Sequence, residues 1–325
     1  MIQTDRLQEL WKNLSYSGKS EFEFTRIDSG EAKPEMNIGF NSTLNRCLLL
    51  ELPKGHDIDF QKSIKQNLSL SFFDDTGYIV LELTDQSFTD LFNDLIISIY
   101  QHIYQMSDVK EYSQVFIQMF YKWSEFFDDK KSEKLSQDII KGLFGELFVL
   151  KELIKDSHST HINDLLNSWK GPYDKGHDFE LDQKHIEVKT KEMTKTSVKI
   201  SSEHQLESEM DIPLELLVLS VDTHSAKGQS LSTLVSDIKN IVISKLGDFS
   251  IVLTALAQKN ITARSIYQYD NFRFEAIEEI VYNCTHTDFP KLTKTNTPKA
   301  IGSVQYTLHL NYLTEYISSK KTFDD

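Results

Sequence analysis

The stretch that decides the fold reads His177-Asp178-Phe179-Glu180-Leu181, a tight Asp182-Gln183-Lys184 connection, then His185-Ile186-Glu187-Val188-Lys189-Thr190. His177–Leu181 and Ile186–Thr190 are expected to be two strands joined by that connection. A strand's two-residue period sends Ile186, Val188 and Thr190 to one face and Glu187 and Lys189 to the other. Asp178, near the start of the first strand, can then meet Glu187 across the pair. Two carboxylates converging on one point suit Mg²⁺, with Mn²⁺ as a substitute, because a hard cation takes oxygen ligands and excess negative charge. The backbone carbonyl of Val188 offers a further oxygen. A lysine beside them, Lys189, can assist a water nucleophile and neutralise charge developing on a phosphate. Taken alone, the alternation is also what any half-exposed strand shows.

Upstream, Ser136–Lys155 carries the strongest helical pattern in the chain. On a 3.6-residue wheel, Ile139, Leu143, Leu147, Leu150 and Ile154 form its apolar face. Glu146 falls inside that face, flanked by Ile139, Leu143, Leu150 and Leu153. A carboxylate there loses hydration unless something compensates it. Either Glu146 points at a site against the strands, completing a set with Asp178 and Glu187, or it lies at a packing edge or pairs with a core lysine.

Composition narrows the classes. The 325 residues include 39% hydrophobic and 26% charged side chains, with 12 Gly and 6 Pro, which excludes collagen-like and wholly disordered chains. Two cysteines, Cys47 and Cys284, exclude a disulfide framework and a cysteine-built zinc cluster. No apolar run is long enough to span a bilayer, and a cytoplasmic protein without a membrane partner is expected. Lys and Arg number 35 against 49 Asp and Glu, a net charge of −14. Bulk electrostatics therefore repel phosphate, so a nucleic-acid site needs local positive charge or delivery by a partner. No nucleophile elbow and no phosphate-binding glycine loop is present, which removes serine hydrolases and P-loop ATPases.

Along the chain, Phe22–Ile27 and Arg46–Leu52 read as strands, and Asn67–Phe73 with Tyr78–Leu83 as a hairpin. Two helices follow, the first marked by Phe88 through Ile103, the second by Val109 through Trp123. Asp85 or Ser87 is the expected cap of the first and Ser107 of the second. Beyond the long helix, Leu216–Val221 reads as a strand and Leu231–Leu246 as a helix; Ser250–Leu256, Phe272–Ile277 and Val304–Asn311 extend the pattern. The expected architecture is α/β: an N-terminal α+β region over 1–130, an α/β core over 131–250 and an α+β extension over 251–325 packed on that core.

These residues resemble the PD-(D/E)xK nuclease superfamily, whose core sets a helical acid ahead of a strand pair bearing Asp and then Glu-x-Lys. Glu146 matches the helical acid, Asp178 the first motif acid, and Glu187 and Lys189 the Glu-x-Lys. The wider string is Gly145-Glu146-Leu147, Trp169, Gly171-Pro172, His177-Asp178-Phe179 and Ile186-Glu187-Val188-Lys189-Thr190. It is similar to a bacterial subfamily of uncharacterised PD-(D/E)xK members that lie near restriction and phage-defence genes. Phe289-Pro290, Pro298, Gly302, Val304 and Tyr306 extend the likeness, which covers at least 140–310. No proline precedes Asp178; His177 stands there. The resemblance implies a restriction-endonuclease-like core, a mixed sheet flanked by helices, and metal-dependent hydrolysis of DNA phosphodiesters in a restriction-modification or phage-defence system. It implies catalysis by Glu146, Asp178, Glu187 and Lys189, and metal held by Asp178, Glu187, the Val188 carbonyl and Glu146. A methyltransferase, helicase or specificity subunit is the implied kind of partner. A duplex cutter usually needs two sites, so a homodimer is also expected. The alternative is a catalytically inactive nuclease-fold subunit acting in DNA binding or assembly.

Around this set, Lys184, Lys191, Lys195 and Lys199 are candidate contacts to the nucleic-acid backbone, though a solvated strand face looks the same. His177, Thr190 and Gln205 are candidates for supporting positions, and Trp169 for a packing lid over the Gly171-Pro172 bend.

Overall fold

The computed structural model describes residues 4–30, 32–56, 58–128, 134–174, 176–208 and 212–323, arranged as two compact units, Met1–Lys131 and Ser132–Asp325. The linker segment expected at 127–134 lies largely outside the described residues.

In the first unit the elements are α1 (Thr4–Asn13), β1 (Phe22–Arg26), β2 (Glu35–Asn41), β3 (Arg46–Glu51), β4 (Lys62–Ile64), β5 (Leu68–Phe73), β6 (Tyr78–Leu83), α2 (Thr89–Ile103) and α3 (Val109–Ser124). The six strands form one antiparallel sheet in the order β1-β2-β3-β6-β5-β4. The hairpin expected around Asp74–Gly77 is present as β5–β6, with Gly77 at φ +74°. Leu48, Leu50, Leu70, Ile79 and Leu81 are fully buried, as are Phe92, Leu95, Ile96, Ile99, Phe116 and Phe120 of the two helices. Both helices fall where their periodicity puts them, but the caps differ. Asp85 caps a short 3₁₀ turn ahead of α2, and Asp108, not Ser107, accepts from the Glu111 amide at the start of α3. β2 and α1 are further elements: Met36, Ile38 and Phe40 alternate along β2, which pairs with β1 and β3 on either side, and Leu7 and Trp11 are the buried face of α1.

The second unit holds α4 (Gln137–Lys155), α5 (Ile162–Ser168), β7 (Phe179–Leu181), β8 (Lys184–Glu192), β9 (Ser197–Ile200), β10 (Leu214–Asp222), β11 (Gln229–Ser230), α6 (Leu231–Ser244), α7 (Ser250–Gln258), β12 (Arg273–Asn283), β13 (Tyr306–His309) and β14 (Ile317–Thr322). Its main sheet runs β11-β12-β10-β8-β7, with β14 added beside β12. β8 and β10 are parallel and the other neighbours antiparallel, so the sheet is mixed. The expected α/β class is what the chain adopts.

α4 packs on β8 and α6. The opposite sheet face, at Leu214, Leu216, Val218 and Tyr282, is covered by the β9–β13 ribbon through Val198, Ile200, Leu308 and Leu310. The run 250–256 is helical: a short, mostly apolar segment has too little period of its own to choose a conformation, and burial of Val252, Leu253 and Leu256 suits a helix packed on the unit. On α4 the apolar arc is displaced from the expected one: Ile140 is buried and Ile139 is half exposed. Burial extends to Phe144 and Phe148 because α4 is covered by helix as well as sheet. Among the described residues, no helix is long and apolar enough to cross a membrane.

Candidate active site

Strand β7 is short, and that shortness makes the site. Phe179 pairs with Ile186, Glu180 with His185 and Leu181 with Lys184, and β8 then runs past β7's beginning, paired with β10 but with no β7 residue on its other edge. Continuing the register one step sets Asp178 opposite Glu187. The next inward-facing amide, Val188 N–H, has no strand to bond, and Asp178 Oδ2 accepts it at 2.8 Å. In a strand the N–H and C=O of one residue point to the same edge, so the Val188 carbonyl lies on the edge that Asp178 occupies.

Glu187 is fully buried, and its Oε1 accepts from Lys189 Nζ at 2.5 Å along the same strand face. Glu146 reaches the group from the middle of α4, where its Oε2 accepts from Trp169 Nε1 at 2.8 Å. The turn Gly171–Asp174 crosses next to both acids. A Cβ at Gly171 would collide with Glu146 Oε2 and stand 2.8 Å from Asp178 Oδ1, so a larger residue there forces these carboxylates to shift. The Lys170 and Gly171 amides donate to the Asp178 carbonyl at 2.8 and 3.2 Å, tying the turn to the first motif acid.

α4 comes this close because of Gly145. A Cβ there would collide with Thr190 Oγ1, on the face of β8 that looks toward the helix. Thr190 therefore serves at the helix–strand contact; its hydroxyl is buried, with no hydrogen-bond partner among the described atoms.

Three carboxylates crowded at one site, Glu187 buried and Glu146 and Asp178 partly so, repel each other. Burial and the Asp178 charge push Glu187 up to about 8 against the pull of Lys189. Burial and the same charge hold Glu146 well above the ordinary carboxylate range, with the Trp169 bond opposing. Burial also raises Asp178, opposed by Lys189 and the Val188 amide. Burial alone would lower the Lys189 ammonium, but the Glu187, Asp178 and Glu146 charges overcome it and raise it.

The donor set fits a hard divalent cation: clustered, poorly hydrated oxygen donors with an excess of negative charge that a cation would relieve. Among the described residues no three His, Cys, Asp or Glu side chains are arranged as a finished metal cage, so the protein would supply two carboxylates and a carbonyl and leave the remaining positions to water and substrate.

A family model described as "Putative PD-(D/E)XK family member, (DUF4420)" matches residues 7–311. The chain belongs to this family. Its mixed sheet flanked by helices is accordingly a restriction-endonuclease-like fold. No curated protein and no solved structure matches the chain.

The other sequence candidates are placed as follows. Lys191 follows Lys189 on the same strand face, opposite Ser220 and in the field of Glu278; burial lowers its ammonium. Lys195 and Lys199 are exposed on the turn after β8 and on β9. Lys184 lies at the far end of β8, its Nζ 2.6 Å from Glu215 Oε2, and does not join the others. His177 is buried with its ring 5.1 Å from that of His185, forming a wall beside the hairpin. Gln205 uses its side-chain oxygen on the Ser201 amide, a local turn contact. Trp169 is more than a lid: it is buried, bridges to Phe179 and holds Glu146. Lys259 went unnoticed in the sequence. It caps α7, its Nζ stands 2.5 Å from Asp174 Oδ1, and its charge opposes the upward shifts that burial imposes on Glu146 and Asp178. It lies 70 residues past Lys189, and nothing in a linear pattern marks it.

Proposed function

We propose that the protein is a metal-dependent deoxyribonuclease that hydrolyses DNA phosphodiester bonds, serving in restriction-modification or phage defence. The observation that carries this reading is the convergence of Asp178, Glu187 and Lys189 with Glu146 from α4 in a chain of the PD-(D/E)xK family. Asp178, Glu187 and the Val188 carbonyl would hold Mg²⁺ or Mn²⁺, with Glu146 beside them. When bound, the ion supplies Lewis-acid polarisation of the phosphate and a more acidic water.

The chain's own residues do the rest. Lys189, held on Glu187, orients the attacking water and offsets charge that builds on the phosphate oxygens. Trp169 keeps Glu146 aimed inward, and the buried walls exclude bulk water. Lys191 on β8, Lys195 after it and Lys199 on β9 would contact the DNA backbone.

The decisive assay is cleavage of supercoiled plasmid, methylated and unmethylated, with Mg²⁺, Mn²⁺ or EDTA. Metal-dependent nicking or linearisation lost in Asp178→Ala and Lys189→Ala supports the reading. Equal activity in both variants assigns the cutting to a contaminant. The alternative reading is an inactive nuclease-fold subunit for DNA binding or assembly. Failure of Mn²⁺ to shift the thermal unfolding midpoint would select it.

A further inference from the structure

Two lysines project their charge onto the acids of the pocket, and they are held very differently. Lys189 sits on Glu187, whose side chain is only 2% exposed, so this pair is locked inside the unit. Lys259 pairs instead with Asp174, whose side chain is 84% exposed. Solvent competes for that carboxylate, and an ion pair so exposed is readily exchanged. The turn that carries Asp174 is nevertheless fixed: Asp174 has a left-handed backbone at φ 52°, and the turn is hydrogen-bonded to the Asp178 carbonyl. α7 packs against this same turn. The scaffold thus presents an ammonium at the rim of the carboxylate pocket while leaving it a replaceable partner.

Charge economy adds weight. The chain carries a net charge of −14, so a cation beside this pocket matters for drawing in a phosphate. Lys184 is engaged by Glu215, and Lys191 faces Glu278 two strands away. Lys259 is the lysine from outside the strand pair whose field reaches both Glu146 and Asp178.

We propose that Lys259 is a substrate-binding residue that leaves Asp174 to hold a phosphate of the nucleic-acid backbone next to the scissile one, with Asp174 as its resting counter-ion. This rests on the phosphodiester reading above. An ammonium is suited to the task as a point charge on a flexible stem, able to move from one oxyanion to another without a fixed fork geometry. No bond is made or broken; the exchange moves one cation from a carboxylate to a phosphate.

The test is the salt dependence of binding to a short fluorescein-labelled DNA duplex in EDTA, followed by anisotropy. Lys259→Ala is expected to bind more weakly, with a log–log salt slope shallower by about 0.9, the loss of one phosphate contact. Lys259→Arg is expected to restore the wild-type slope. Asp174→Asn should bind more tightly than wild type, and this gain should vanish in the Asp174→Asn/Lys259→Ala double variant. Matching unfolding midpoints show that the variants keep their fold. A wild-type slope in Lys259→Ala, or a wild type that does not bind the duplex, overturns the proposal. Plasmid cleavage run in parallel separates this from the enzyme reading: cutting that needs Asp178 but ignores Lys259 keeps the nuclease and removes the role of Lys259. A slope change without any cutting does the reverse.

Discussion

Asp178 caps Val188: its carboxylate takes the backbone amide that β7 is too short to pair, at 2.8 Å. One side chain therefore finishes the sheet and presents its other oxygen to Glu146. Asp178→Asn retains an acceptor for the amide and removes the charge. It is expected to keep the fold, judged by circular dichroism and the unfolding midpoint, while plasmid cleavage falls by at least about 100-fold. Cleavage within a few-fold of wild type would remove Asp178 from the site.

Trp169 holds Glu146 through one indole N–H. Trp169→Phe keeps most of the buried ring and deletes that donor. The expected cost is about 1–2 kcal/mol of stability and about a 10-fold to 100-fold loss of metal affinity or cleavage. Urea unfolding and Mn²⁺ titration measure the two separately. A loss of stability with metal affinity intact would make the indole a packing residue alone.

Lys189 and Glu187 form a pair that is almost wholly out of solvent. Removing the cation leaves a buried carboxyl without its partner. Lys189→Met should destabilise the protein by about 3 kcal/mol at pH 9, and by less at pH 6, where Glu187 is protonated in wild type and variant alike. Denaturant melts at the two pH values test this, and an equal loss at both would contradict it.

The acids also set a pH dependence whose sign follows from linkage. Burial and the Asp178 charge move Glu187 from the ordinary 4.5 up to about 8, and Glu146 and Asp178 shift the same way. The folded state then binds more protons than the unfolded chain between these values. Stability is fully present below about 4.5 as far as these groups are concerned, and is lost as pH rises through about 8. In EDTA the unfolding midpoint should fall from pH 6 to pH 8, and Glu187→Gln should flatten the fall. Mg²⁺ or Mn²⁺ should raise the midpoint more at pH 8 than at pH 6, because the ion binds the ionised acids.

Gly145 and Thr190 mark where the helix touches the strand. Gly145→Ala is expected to cost about 1–3 kcal/mol by overpacking, although alanine is the better helix former. Adding Thr190→Ala should recover most of that loss, since the hydroxyl it removes has no partner. A double-mutant cycle with no coupling would mean that the helix adjusts freely.

The local pattern from Asp178 to Lys189 was legible because strand periodicity is a local property. Two residues apart on one strand puts Glu187 and Lys189 on one face whatever surrounds them, and a short connection makes Asp178 their neighbour. Glu146 stood out for a related reason: a charge within an apolar helical arc needs an explanation. The exact arc was harder to read, since Ile139 and Ile140 stand about 100° apart on the wheel and only the packing of α6 and the sheet decides how far the covered arc reaches. The run 250–256 carried too little period to read, so its helix is a product of tertiary burial.

Sequence by itself thus determined the alternating strand pair, the acid on the long helix and the family to which they point. Tertiary structure alone decided what lies around them: the indole of Trp169 on Glu146, the Gly171 turn against two carboxylates, the separation of Lys184 from the other lysines, and Lys259 at the rim. Side-chain periodicity acts over a few residues and is written in the chain. A hydrogen bond from residue 169 to 146, or a charge at 259 felt at 178, exists only after distant segments have packed, and no spacing along the chain encodes it.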